Sequence, residues 1–165
     1  MAEEAWLSGK LEGFAPELMP AAHALVQAID DLLKTATDLT NEELTAKPNG
    51  AASIAFHLRH IAGSCDRLLT YAKGEELTGA QFEFLRKEGG ESSDRSAAEL
   101  VGEAVSAIDE VLVFCKTVAP EKLFEERFVG RKRLPTNVFG LLFHIAEHTA
   151  RHVGQLTTTA RIVRK

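Results

Sequence analysis

Cysteine, tryptophan and tyrosine are scarce in this chain, with two, one and one among 165 residues. Cys65 and Cys115 stand alone, without the paired spacing that binds zinc or runs disulfide exchange. Each falls in an apolar helical stretch, which predicts buried, inert thiols. No run approaches the ~20 apolar residues of a membrane helix. The opening stretch MAEEAWLSGK carries early acids and no apolar core, so no secretory signal is expected. An excess of positive charge is missing too. Nineteen Lys and Arg against 24 Asp and Glu leave a net charge of -5, which excludes a broad nucleic-acid surface. The short cluster Arg131-Lys132-Arg133 follows Gly130 and reads as a solvated turn. Also absent are a Gly-rich phosphate loop, a His-Glu-x-x-His motif, a serine nucleophile setting and the Glu-x-x-His of di-iron bundles. These absences predict a soluble, cytoplasmic protein with a small-molecule partner and no nucleic-acid or membrane partner.

What remains is helix. Residues 1–165 have the length of one domain with enough apolar content for a core. After Pro16, the segment Glu17 to Thr37 places Leu18, Leu25, Ile29, Leu32, Leu33 and Ala36 at helical intervals. Thr40-Asn41-Glu42-Glu43 offers a capping box for a short helix, closed by Lys47-Pro48-Asn49-Gly50. A second long helix is predicted from Ser53 to about Lys73, with Ile54, Leu58, Ile61, Cys65, Leu68 and Ala72 inward. The stretch from Gly74 to Arg95 reads as irregular. Ser96-Ala97-Ala98-Glu99 is another capping box, opening a helix to about Thr117 with Leu100, Ala104, Ile108, Leu112 and Cys115 inward. Residues 121 to 134 read as a helical turn and an extended piece, and a last helix follows Pro135 and Thr136 to near Ile162. No alternation is strong enough to predict a sheet. The expected fold is all-α, a four-helix bundle. The link of roughly twenty residues between its second and third helices is long enough to run the bundle's length, which lets those two lie parallel.

Five of the six histidines fall in two patches, Phe56-His57-Leu58-Arg59-His60 and His144 to His152. The four-residue step from His148 to His152 stacks two imidazoles on one helix face. At ~100° per residue they lie within ~30° of the stripe of Leu141, Ile145, Leu156 and Thr159, whereas His144 lies about 80° aside. Buried imidazoles need partners for both nitrogens, and one shared metal ion would satisfy several at once. On the upstream helix both His57 and His60 are candidates for a third ligand, and periodicity leans to His57. Three neutral histidines with an open position make a catalytic zinc site, and imidazole also suits nickel, copper and iron. Facing histidines also allow a bis-histidine haem. His23 reads as structural or exposed, and Gln155 as a packing or hydrogen-bonding group on the face of His152. Gly63 and Gly154, opposite the inward stripes, would permit close helix approach across a homodimer.

The segments Ser53-Ile54-Ala55-Phe56-His57-Leu58-Arg59-His60-Ile61-Ala62 and His148-Thr149-Ala150-Arg151-His152-Val153-Gly154-Gln155-Leu156 resemble the DinB-like (YfiT-like) metal-binding four-helix-bundle family. The resemblance implies an up-down-down-up bundle and one divalent metal, zinc or nickel foremost, held by three histidines. It moves the third ligand from His57 to His60, because the family's first ligand precedes an apolar residue and Ala, as in His60-Ile61-Ala62. The implied ligand set is His60, His148 and His152. Some relatives are transferases or isomerases that use a low-molecular-weight thiol. The expected function is therefore a metal-dependent thiol S-transferase or hydrolase acting on a small substrate. The alternative is a non-enzymatic stress-response module with a structural metal.

Overall fold

A computed structural model describes residues 4–90 and 94–164. In chain order, the elements are α1 (Met19–Ala36), α2 (Asn41–Thr45), α3 (Ile54–Ala72), α4 (Gly79–Lys87), α5 (Ala97–Thr117), β1 (Glu126–Val129), β2 (Leu134–Asn137) and α6 (Val138–Val163). The fold is mostly helical. Helix α3 packs against α5 and α6, and α1 packs against the same two partners. Their facing stripes form one core that includes Leu25 and Leu32 of α1, Leu58 and Ile61 of α3, Ile108 of α5, and Leu142, Ile145 and Leu156 of α6. The expected stripes are not wholly buried: Leu33 is exposed, and Ile29, Leu68 and Leu112 are half-buried against the core, with Leu69 and Val111 buried beside the last two. Among the described residues, no helix is long and apolar enough to cross a membrane.

Except at α1, where Pro20 sits in the first turn, the helix starts follow from side-chain capping. Thr40 and Ser96 each accept from the backbone N–H three residues on, and Glu43 and Glu99 reach back, so both expected capping boxes form. Ser53 caps α3 through the Phe56 N–H, and Asn137 caps α6 through the Gly140 N–H. These contacts satisfy amide groups that the first helical turn leaves without partners.

Two segments differ from expectation. The connection after Gly74, read as irregular, contains α4, although its residues 91–93 lie outside the described set. This nine-residue helix starts with a third capping box, between Thr78 and Gln81. It docks largely through polar groups. The buried Gln81 amide donates to Asp66 Oδ2 at 2.9 Å and Thr70 Oγ1 at 2.7 Å, so an apolar stripe is not what announces it. The second difference is a sheet where none was expected. Strands β1 and β2 pair antiparallel, Glu126 opposite Asn137 and Val129 opposite Leu134. Each has four residues, and Pro135 sits within β2. A two-stranded hairpin has two edges, which is where a strand tolerates proline. Its turn contains the exposed Arg131-Lys132-Arg133 cluster, with Gly130 and Arg133 at positive φ. Arg127 ties the hairpin to the end of α3 by donating from Nε to the Ala72 carbonyl at 2.9 Å.

Candidate metal centre

Four imidazoles meet between α3 and α6. One nitrogen from each of His60, His148 and His152 falls in a set whose members all lie within 4.8 Å of one another. His60 Nε2 lies 3.4 Å from His148 Nε2. The ring centroids of His60 and His152, and of His148 and His152, are 4.5 Å apart. His57 joins from the turn before His60, its Nδ1 sharing a hydrogen bond of 2.9 Å with His152 Nδ1. The structure therefore brings together both α3 candidates: His57 is buried, as its place near the stripe predicted, while His60 stands at the edge, its side chain 20% exposed.

The α6 pair sits differently from the periodicity estimate. His148 and His152 are half-buried in the groove rather than in the core. The fully buried position between them belongs to Thr149, whose hydroxyl lies 3.6 Å from Cys65 Sγ. The imidazoles thus reach sideways towards α3. His144 lies outside the set; it is exposed, and its Nδ1 pairs with Glu147 at 2.7 Å. His23 is separate and structural, its Nε2 bonded to the Gly9 carbonyl at 2.8 Å. Gln155 is exposed. The rings touch one another directly, an arrangement for one ion rather than a slot for a macrocycle.

Burial sets the protonation of the cluster. It lowers His148 to about 4, with the neighbouring His60 and His144 adding to the shift. It lowers His152 to about 4 as well, reinforced by His60, His148 and His57. His57 is also lowered, by burial and then by His60. Two of the three imidazoles in the set are therefore neutral at physiological pH, the form that donates a lone pair to a metal. His148 Nδ1 is buried and lacks a hydrogen-bond partner among the described residues, an uncommon state for an interior nitrogen. A donor set of close imidazoles fits a divalent ion, and His60, His148 and His152 are the residues that would hold it.

One member of the site was invisible to the histidine pattern. Glu88, the residue capping the end of α4, accepts from His60 Nδ1 at 3.0 Å and forms a buried ion pair with Arg67 at 3.1 Å. Burial pushes its carboxyl up, but the hydrogen bonds from His60 and Arg67, with the Arg67 charge, outweigh this and hold it below the usual carboxylate range. Gly63 makes room for the arrangement. A Cβ there would lie 2.5 Å from Phe84 Cε1 and 2.8 Å from Glu88 Oε2. This glycine therefore serves packing within the chain, not between copies. Phe56 closes another flank, stacked on His60 with centroids 5.4 Å apart.

No curated protein matches the chain. The profile of the DinB superfamily matches residues 24–156, from within α1 to within α6, and so takes in His57, His60, His148 and His152. Helical architecture, the three-histidine cluster and this match agree, and the chain belongs to the DinB superfamily.

Proposed function

We propose that this protein is a divalent-metal-dependent enzyme, a thiol S-transferase or hydrolase acting on a small substrate, with zinc or nickel held by His60, His148 and His152. The observation that carries the reading is the convergence of three imidazole nitrogens within 4.8 Å. A divalent ion there would supply Lewis acidity, lowering the pKa of a water or thiol near it. The chain's own residues orient the rings and limit access. His57 holds His152, Glu88 holds His60, and Phe56 covers one face of the His60 ring. Beyond Phe56 lies a cavity of about 510 Å³, bordered by Lys47, Ser53, Gly89 and Gly90, in the size range of small-molecule sites.

The chain's own thiols are poor nucleophiles for such chemistry. Burial pushes Cys65 up to about 11 and Cys115 up to about 12, so both stay protonated and enclosed. The nucleophile is therefore external, a low-molecular-weight thiol or water. In the transfer reading, the thiolate sulfur bonds to an electrophilic carbon and the leaving group departs with the bonding pair. In the hydrolytic reading, water supplies the hydroxyl and a proton goes to the leaving group.

The reading includes an up-down-down-up bundle in a single domain. End-to-end contacts support that order. Arg164, just past α6, donates to the Thr35 carbonyl near the end of α1. Lys116, at the end of α5, lies over Phe14, ahead of α1. His57 meets His152 while the later His60 meets His148. A cytoplasmic homodimer is also part of the reading, supported by the exposed Trp6 and the open space over Gly154 beside the groove between α1 and α6.

Elemental analysis of the purified protein, followed by turnover assays with a panel of thiols and a reactive electrophile, tests the proposal. About one zinc or nickel per chain and metal-dependent turnover are expected. A protein that takes up neither ion would overturn the reading. Metal uptake with no thiol transfer or hydrolysis would leave the structural-metal module in its place.

A further inference from the structure

We infer that Glu88 is a positioning residue for the three-histidine site, locking His60 in the tautomer that turns its Nε2 lone pair towards His148 and His152. This rests on the metal reading above. The geometry starts from Arg67, which is 8% exposed and always cationic. Its guanidinium donates from Nη1 and Nη2 to Glu88 Oε2, both at 3.1 Å, and from Nη2 to Oε1 at 3.3 Å. The carboxylate so fixed is 6% exposed and can only accept hydrogen bonds. At 3.0 Å from Oε1, His60 Nδ1 must therefore be the donor. In a neutral imidazole with its proton on Nδ1, Nε2 carries the lone pair, and Nε2 is the atom 3.4 Å from His148 Nε2.

A role limited to helix docking does not account for the contact with His60. Arg67 alone neutralises Glu88 and anchors the end of α4 to α3. The His60 bond adds nothing to that charge balance, but it selects one tautomer and one ring orientation. Carboxylates in this place behind a ligating histidine also raise its basicity, and their loss typically costs 10- to 100-fold in metal affinity. Helix α4 thus acts on the site through its last turn, and Gly63 provides the space that lets the carboxylate approach.

The test uses the full chain with zinc as the probe. Glu88→Ala is expected to weaken zinc binding about 10- to 100-fold in chelator competition. In the metal-free protein, long-range proton–nitrogen NMR should show His60 with its proton on Nδ1 in the wild type and in a tautomer mixture in the variant. Glu88→Gln keeps an acceptor oxygen and should recover much of the tautomer preference and part of the affinity. Because Glu88→Ala strands the buried Arg67 charge and can unfold the chain, the pair Arg67→Met with Glu88→Ala is measured as well. It should fold and still show both defects. An unchanged zinc affinity or an unchanged His60 tautomer in that pair would overturn the inference. If the wild type itself takes up no zinc, the metal reading falls, while the tautomer comparison still decides what Glu88 does.

Discussion

At the scale of single residues, the cluster separates histidines whose nitrogens converge from histidines that only stand near them. Replacing His60, His148 or His152 singly by Ala should abolish stabilisation by zinc in a thermal melt, because each removes one of three converging nitrogens. His144→Ala should leave that shift intact, since its ring is exposed and paired with Glu147. A His144→Ala protein with no zinc shift would place the site elsewhere on α6. The cysteines give a second residue-scale prediction. With thiols raised to about 11 and 12 and buried, Cys65 and Cys115 should resist a disulfide reagent at pH 8 and react only after denaturation, because the thiolate is the reactive species. Much of this scale was legible in the sequence. The i, i+4 step of His148 and His152 is a property of helix geometry, and the inert cysteines followed from their apolar surroundings. Periodicity leaned to His57, and only the family resemblance moved the third ligand to His60, the residue whose nitrogen falls in the set; a ligand at a groove edge need not sit on the buried stripe. Glu88 gave no signal at all. It lies 28 residues from His60, at the end of a helix that apolar spacing does not reveal.

At the scale of elements, the two glycines once grouped as helix-contact positions separate. Gly63 lies under Phe84, Arg67 and Glu88, so an added Cβ meets atoms at 2.5 to 2.8 Å. Gly154 has no such neighbour within 4 Å and sits in the interior of α6. Gly154→Ala should stabilise the chain by about 0.5–1 kcal/mol through helix propensity alone. Gly63→Ala should forfeit that gain, since overpacking costs about 1–3 kcal/mol, and it should displace the last turn of α4. Urea denaturation of both variants reads the difference, and equal stabilisation would mean that α4 does not press on Gly63. The long helices were legible because each carries an apolar stripe behind a start signal, a capping side chain for α3, α5 and α6 and a proline in the first turn for α1. Helix α4 was not, because buried Gln81 and Glu88 anchor it where a stripe would have been read. The hairpin escaped for a related reason: four-residue strands, one containing Pro135, are too short to display alternation. What holds them is backbone pairing and the bond from Arg127 to Ala72.

For the whole molecule, the cluster ties stability to pH, and on the proposed reading to metal, with a sign that can be worked out. Folding lowers His148 and His152 from 6.5 to about 4. Between those values, the unfolded chain binds protons that the folded chain refuses, so stability rises with pH across this window. The metal-free protein should therefore lose stability as pH falls from about 6.5 towards 4, with little further change from these groups below. On the proposed reading, zinc would bind the neutral rings of the folded state and add its own linkage. At a hundredfold excess over its dissociation constant, the added stability is about 2.7 kcal/mol. Protons compete for the same nitrogens, so this increment should be full near pH 7.5, shrink as the solution is acidified and be gone by about pH 4. Melting curves with and without zinc across that range would show two lines converging towards acid. Parallel lines would mean that zinc stabilises the fold through groups other than these imidazoles. In the His148→Ala protein, the zinc-dependent gap should be absent at every pH, and the metal-free curve should flatten between pH 4 and 6.5. Together these two changes assign the acid sensitivity and the metal site to the same rings.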